Sequence, residues 1–193
     1  MNQANILDTP NVYAALLSKS DEIGFTMPSD MYIGTFLKTL VASKPAGRFL
    51  ELGTGMGLSL AWMLEGMDSA SKLISVDNDM DLIQIAKGFF GTDERFQLIC
   101  ANGEDWIVQN QEEKFDLVFA DAWPGKYSLL EETLDLIKVG GFYVIDDMRE
   151  QPNWPEGHST YVASLVDKLE RRQDFTITKM DWSTGVIVAV KTK

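Results

Sequence analysis

The chain of 193 residues has one cysteine, Cys100, and one histidine, His158. A single cysteine excludes an internal disulfide. Basic residues are also scarce, since 17 lysines and arginines stand against 29 aspartates and glutamates, for a net charge of −12. Such a chain repels a phosphate backbone, and it has no basic cluster longer than Arg171-Arg172. Nucleic acid is therefore not an expected substrate.

Long apolar runs are absent as well. No segment approaches the roughly 20 apolar residues that a membrane span needs, and the first twenty residues contain no continuous apolar stretch of the signal-peptide kind. We therefore expect a cytoplasmic protein that binds neither membranes nor nucleic acid. The length suits one α/β domain with a full core, so we predict a single domain over residues 1–193.

The strongest positive signal is the stretch 48–57, RFLELGTGMG. Its apolar residues predict a strand buried on both faces. The strand ends in an acid and three alternating glycines, namely Glu51, Gly53, Gly55 and Gly57. Glycines let the backbone turn sharply and approach a ligand, and the helix that follows presents free N–H groups. The turn could also serve only to pack strand against helix. A dinucleotide fingerprint would need glycine at Leu58.

The pattern Glu-x-Gly-x-Gly-x-Gly resembles motif I of the class I methyltransferases that depend on S-adenosylmethionine (SAM). In that family the acid at the strand end lies near the amino acid part of the cofactor. The resemblance therefore implies that SAM is the cofactor and that Glu51 and the three glycines bind it. A carboxylate suits SAM, because this cofactor carries an ammonium and a sulfonium and no phosphate.

The next two predicted strands also end in residues suited to a nucleoside. Residues 72–77 form the second strand, and Asp77 at its end is placed to accept both hydroxyls of a ribose, unless it is an ordinary turn acid. Asp79 is predicted to cap the helix that follows. Residues 96–100 form the third. In SAM enzymes the loop after the third strand meets the adenine, which makes Gly103 and Glu104 candidate contacts. A simpler alternative is that this loop holds a helix cap.

The fourth and fifth predicted strands, 115–121 and 142–147, again deliver carboxylates to their C-terminal ends, namely Asp121, Asp146 and Asp147. Between these strands, the apolar spacing over 127–137 predicts a helix that ends at the glycine pair 140–141. Ligands of open α/β sheets bind at that edge, so Asp121 joins the predicted cofactor site. Neighbouring acids in a cleft are costly unless a cation or a proton compensates them.

These later motifs resemble those of the catechol and caffeoyl-CoA type O-methyltransferases. That branch places an Asp after strand four and an Asp-Asn pair after strand five around a divalent metal. The resemblance implies that Asp121, Asp146 and Asp147 bind Mg²⁺ or Ca²⁺, which prefer oxygen ligands. The alternative is that these acids cap the following loop or bind cations of the substrate. Two positions depart from the pattern. Asp147 replaces the Asn, and Pro124 stands where that branch has a lysine as general base.

Three residues are candidates for handling the acceptor's proton. Lys126 follows the expected lysine position by two residues, and Asp121 lies on the same predicted edge. His158 ends a stretch, 148–158, whose two prolines and glycine predict a loop at that edge. Its imidazole suits proton transfer near neutral pH, although it could equally be a surface residue at the start of a helix.

The whole pattern predicts a Rossmann-like α/β fold with a mostly parallel, seven-stranded sheet closed by an antiparallel C-terminal hairpin. Residues 1–45 are predicted to be a helical lead-in. In the O-methyltransferases that the chain resembles, a similar segment covers the cofactor pocket, which makes Met27 and Ser29 further candidate contacts. The alternative, which we favour, is that the segment only packs against the sheet.

We expect a SAM-dependent enzyme that methylates a small molecule, with a hydroxyl oxygen as the favoured acceptor. The alternatives are N-methylation, aminopropyl transfer on the same fold, and a SAM-binding protein without turnover. The resemblance also makes a homodimer plausible, whereas the sequence does not identify the acceptor.

Overall fold

A computed structural model describes residues 2–193. The strands are β1 (Arg48–Leu52), β2 (Lys72–Asp77), β3 (Phe96–Cys100), β4 (Phe115–Ala120), β5 (Ile137–Ile145), β6 (Phe175–Met180) and β7 (Val186–Lys191). The helices are α1 (Tyr13–Ile23), α2 (Met31–Ala42), α3 (Leu58–Gly66), α4 (Met80–Phe90), α5 (Gly103–Gln109), α6 (Leu130–Asp135) and α7 (His158–Glu170). Within the described residues no helix is both long and apolar enough to cross a membrane.

The seven strands form one sheet in the order β3-β2-β1-β4-β5-β7-β6. Strands β1 to β5 run parallel, and β7 is antiparallel to both of its neighbours, β5 and β6. This arrangement confirms the predicted fold. It also places the C-terminal ends of the five parallel strands along one edge, which is where ligands bind in open α/β sheets.

Helices cover both faces of the sheet, so each central strand is buried on both sides. Along β1, Phe49 packs into a cluster with α1, α2 and α3, whereas Leu50 packs into a second cluster with α5, α6 and α7. Helix α3 is buried along almost its whole length. Period-two side-chain alternation explains why these apolar strand residues serve two cores.

One boundary differs from the sequence prediction. A helix was expected over 127–137 and a strand from 142, but α6 is only six residues long and β5 begins at Ile137. Leu129 adopts a left-handed conformation with φ 51°, which delays the helix. Ile137 pairs with Phe115 of β4, so the glycine pair after it lies inside the strand and does not end a helix.

Candidate functional site

The glycine turn after β1 has the geometry that its sequence predicts. Gly53, Gly55 and Gly57 have φ values of 101°, 49° and 88°, all in the left-handed half of the map that favours glycine. A Cβ on Gly53 would lie 2.8 Å from the main-chain oxygen of Asp121. The backbone therefore passes close to the end of β4, and no side chain stands between the two strand ends.

Asp77 at the end of β2 braces this turn. Its Oδ2 accepts the N–H of Gly55 at 2.8 Å, and its Oδ1 accepts the N–H of Asp79 at 2.9 Å. A carboxylate oxygen can accept more than one hydrogen bond, so both oxygens keep capacity for a ligand. Asp79 caps α4, as the sequence predicts.

Two adjoining cavities open at this edge of the sheet, with volumes of about 440 Å³ and 210 Å³. The larger volume is typical of a small-molecule site. Both cavities are lined by Gly53 and Asp77, and only the smaller by Gly103. Met27 and Ser29 line the larger one, so the segment between α1 and α2 does lie over it.

The side chains of Glu51 and Glu104 do not reach either cavity. Glu51 is completely buried, and its carboxyl group accepts hydrogen bonds from the hydroxyls of Ser59 (2.6 Å) and Ser75. Burial raises its pKa to about 7. Glu104 is exposed in the first turn of α5, where Asn102 is the cap. Local sequence does not show on which side of its element an acid will lie.

Gly57 also lines neither cavity. It is the N-cap residue of α3, and a Cβ there would lie 2.7 Å from the ring of Phe90. Its part in the turn is therefore close packing of α3 against α4. Gly53, Gly55 and Asp77 thus line the larger cavity, whereas Gly57 does not.

The three acids predicted to bind metal lie near one another at the ends of β4 and β5. Asp121 and Asp147 line the larger cavity, whereas Asp146 is buried beneath it with 3% exposure. Burial raises the pKa of all three carboxyl groups, and mutual repulsion adds to the rise for Asp121 and Asp146. Ser29 donates its hydroxyl to Asp121 at 3.4 Å.

A divalent ion does not fit this set of donors. Asp146 Oδ1 already accepts the N–H of Asp147 at 2.7 Å and the hydroxyl of Thr184. Lys126 is buried beside the acids, and its ammonium donates to the main-chain oxygen of Asp146 at 2.5 Å. Between residues 2 and 193, no three His, Cys, Asp or Glu side chains are grouped so that they could hold a metal ion.

His158 is the first residue of α7 and lines the larger cavity. Its Nε2 lies 3.0 Å from the hydroxyl oxygen of Tyr127. Burial lowers the pKa of His158, and the charge of Lys126 lowers it further, while Asp147 opposes the change. The imidazole is therefore neutral at pH 7. Burial also raises the pKa of Tyr127 to about 12.

Aromatic rings surround this pair. The ring of Trp154 lies 4.5 Å from that of His158, and Trp123 lies 4.9 Å from Tyr127. All four residues line the larger cavity. No role is predicted for Tyr127 or Trp123 from the sequence, although two aromatic residues four positions apart, just after Asp121, are a signal that could have paired them.

The family model described as O-methyltransferase matches residues 18–168, which is more than three quarters of the chain. The chain belongs to the O-methyltransferase family. The matched range runs from α1 into α7, so it contains the glycine turn, both cavities and the Tyr127–His158 pair.

Named relatives agree with this family. One relative is a protein of Mycobacterium leprae that is named as an inferred O-methyltransferase. It is 29% identical in an alignment over 139 residues, and the alignment covers 69% of this chain and 62% of the relative. One of Mycobacterium ulcerans, named in the same way, is 25% identical over 169 residues, covering 82% of this chain and 75% of the relative. The match thus spans less than two thirds of the Mycobacterium leprae protein.

Solved structures share the fold. The O-methyltransferase of Bacillus cereus in complex with S-adenosylhomocysteine (SAH) has a TM-score of 0.85 at 17% identity. The alignment covers 98% of this chain and 94% of the other. TomG of Streptomyces achromogenes, an O-methyltransferase in complex with SAM, has a TM-score of 0.84 at 19% identity, with 98% and 93% covered. At this level of identity the likeness shows the fold.

Proposed function

We propose that this chain is a SAM-dependent methyltransferase that methylates an oxygen of a small acceptor. The observation that carries the proposal is the glycine turn. Together with Asp77 it lines two adjoining cavities at the carboxyl edge of the sheet, in a member of the O-methyltransferase family. A turn of this kind suits a ligand that the main chain approaches closely.

The proposed cofactor would extend across both cavities. We expect the adenine to enter the smaller cavity beside Gly103, and the ribose hydroxyls to bind the free lone pairs of Asp77. The amino acid part and the sulfonium would then lie in the larger cavity along Gly53 and Gly55, toward Asp121. The SAH and SAM in the Bacillus cereus and Streptomyces achromogenes proteins support this choice of cofactor.

The chemical demand on the protein is modest, because the sulfonium is already a good leaving group. The acceptor oxygen forms a bond to the methyl carbon while the bond from carbon to sulfur breaks. The electron pair of that bond goes to sulfur, and SAH is the product. The protein must hold oxygen, carbon and sulfur in a line and receive the acceptor's proton.

The pair formed by Tyr127 and His158 is the proposed proton acceptor. A neutral imidazole can accept a proton, and the hydroxyl of Tyr127 at 3.0 Å can relay one from the acceptor to Nε2. The other two candidates are less suited. The ammonium of Lys126 has no lone pair to offer, and the carboxyl group of Asp121 already interacts with the positive charge of that ammonium.

The surroundings of this pair suit a flat acceptor. Trp123, Tyr127 and Trp154 line the larger cavity, and such a concentration of aromatic side chains suits an aromatic hydroxyl compound. Asp121 and Asp147 on the same wall are the reason to keep a cationic amine as the second candidate acceptor. The predicted single domain, cytoplasmic location and homodimer remain predictions.

Two measurements test the proposal. Calorimetric titration of the protein with SAH should show saturable binding near micromolar affinity. Incubation with methyl-labelled SAM and a panel of phenols, catechols and amines should then give labelled methyl ethers. If amines are labelled and phenols are not, the proposed oxygen acceptor is wrong and the acceptor is a nitrogen compound. SAH binding without any transfer would favour a binding protein, and no SAH binding would refute the cofactor.

A further inference from the structure

Lys126 borders the larger cavity, yet its ammonium is held inside the protein. The residue is 5% exposed, and Nζ donates to the main-chain oxygen of Asp146 at 2.5 Å. Burying an ammonium away from water is costly unless carboxylates compensate it. Among residues 2–193 this ammonium forms no direct ion pair with a carboxylate. The acids at the ends of β4 and β5 therefore compensate it at longer range, and its charge opposes the rise that burial causes in their pKa values.

A glycine turn delivers this lysine to the acids. Gly125 has φ 82°, and its N–H donates to the main-chain oxygen of Ser128 at 2.8 Å. The hydroxyl of Tyr143 donates to the main-chain oxygen of Gly125 at 2.6 Å. A Cβ on Gly125 would lie 2.4 Å from the side chain of Leu52. The turn therefore requires glycine, and it leads the chain so that the next side chain, Lys126, is buried.

The same acids offer little to a divalent ion. Ca²⁺ takes six to eight oxygen ligands, and Mg²⁺ takes six, of which a protein supplies at least one or two carboxylate oxygens that are free to coordinate. Asp146 Oδ1 is already engaged by the N–H of Asp147 and the hydroxyl of Thr184. A second cation would also be repelled by the ammonium that contacts the main chain of Asp146.

We propose that Lys126 is a built-in cation at the ends of β4 and β5 that takes the place of the divalent ion implied by the sequence resemblance. Its charge holds Asp121, Asp146 and Asp147 together and orients the wall of the larger cavity. Lys126 is thus a positioning residue. The expectation that methyl transfer proceeds without added metal rests on the proposed function. The placement of the Lys126 ammonium among these acids is independent of the proposed function.

The experiment is a calorimetric titration of the EDTA-treated protein with Mn²⁺. Wild type and K126R, which keep the charge, should show no saturable binding. K126Q, which retains a hydrogen-bond donor and loses the charge, should gain a saturable Mn²⁺ site whose affinity is about tenfold or more above the detection limit of the titration. K126Q/D146N should lose this site. Lys44→Gln is the matched control, because Lys44 also donates to a main-chain oxygen, that of Gly140, at 2.7 Å.

Saturable binding by wild type that D146N abolishes would overturn the inference. So would K126Q binding no more tightly than K44Q. If K126Q does not fold, the comparison of wild type with D146N still tests the proposal. Absence of a saturable Mn²⁺ site in wild type would then support the built-in cation. Parallel titration with SAH separates the two proposals. Without SAH binding in any variant the cofactor proposal fails, and the Mn²⁺ result still stands alone.

Discussion

Two parts of the larger cavity's lining differ in kind: at the glycine turn the main chain forms the lining, whereas elsewhere side chains from distant segments form it. Gly53 and Gly55 leave bare backbone facing the cavity, braced by Asp77. The side-chain wall combines Lys126 from the segment after β4 with His158 from the start of α7. The first wall depends on conformation, and the second depends on which side chains meet.

The largest expected effect comes from removing the bare backbone. Gly53→Ala adds a Cβ 2.8 Å from the main-chain oxygen of Asp121, at φ 101°. We expect SAH binding to weaken by roughly 10²–10³-fold, or about 3–4 kcal/mol. Gly140→Ala is the control, because Gly140 also has a positive φ of 81° but open space around it. Calorimetry that gives equal SAH affinities for the two variants would contradict this prediction.

The buried acid beneath the turn should affect stability in a pH-dependent way. Burial raises the pKa of Glu51 from 4.5 to about 7, so the protonated carboxyl is the form that the fold prefers. Its contribution is complete below pH 4.5 and is lost as the pH rises through 7. By then the free energy of unfolding has fallen by about 3 kcal/mol, at 1.36 kcal/mol per pKa unit.

Urea unfolding of Glu51→Gln at pH 5 and pH 8 tests this expectation. The variant lacks the titration, so its stability relative to wild type should increase with pH. Glu104→Gln, at an exposed position, is the control and should show no such trend. A stability difference between Glu51→Gln and wild type that is equal at both pH values would count against a buried, titrating Glu51.

The side-chain wall should influence turnover more than cofactor binding. His158→Gln removes the proposed proton acceptor, and we expect kcat to fall by about 100-fold with little change in SAH affinity. The acidic fall-off in wild-type activity should lie below pH 6.5, because the pKa of His158 is lowered. Tyr127→Phe should show a smaller loss of kcat.

Tyr161→Phe is the control for Tyr127→Phe, because Tyr161 belongs to the same aromatic group and its side chain is exposed. Stopped transfer assays with methyl-labelled SAM give the comparison. Should Tyr127→Phe and Tyr161→Phe have equal kcat, the proton relay would be wrong even if His158 proved essential.

The smallest effect concerns Asp77. Asp77→Asn keeps the shape but has one fewer accepting oxygen for a ribose hydroxyl, so SAH binding should weaken about tenfold. Asp79→Asn is the matched control, since Asn caps a helix as well as Asp does. Equal SAH affinities for these two variants would remove Asp77 from the proposed ribose site.

Sequence reasoning worked best where a short segment carries all the information. The strand that precedes Gly53 and the cap at Asp79 are local features, and both are confirmed. It was wrong about the bounds of α6, because the left-handed Leu129 and the pairing of Ile137 with Phe115 override local helix propensity. Roles of individual site residues stay predictions.

By itself the sequence determined the order of strands and helices, the glycine turn and the acids at strand ends, because periodicity and glycine conformation act over a few residues. Only the tertiary structure decided which side chains meet. Tyr127 and His158 are 31 residues apart, and Lys126 and Asp146 are 20 apart. Such contacts depend on how the β4 and β5 ends and α7 pack together. The spacing of residues along the chain does not predict that packing.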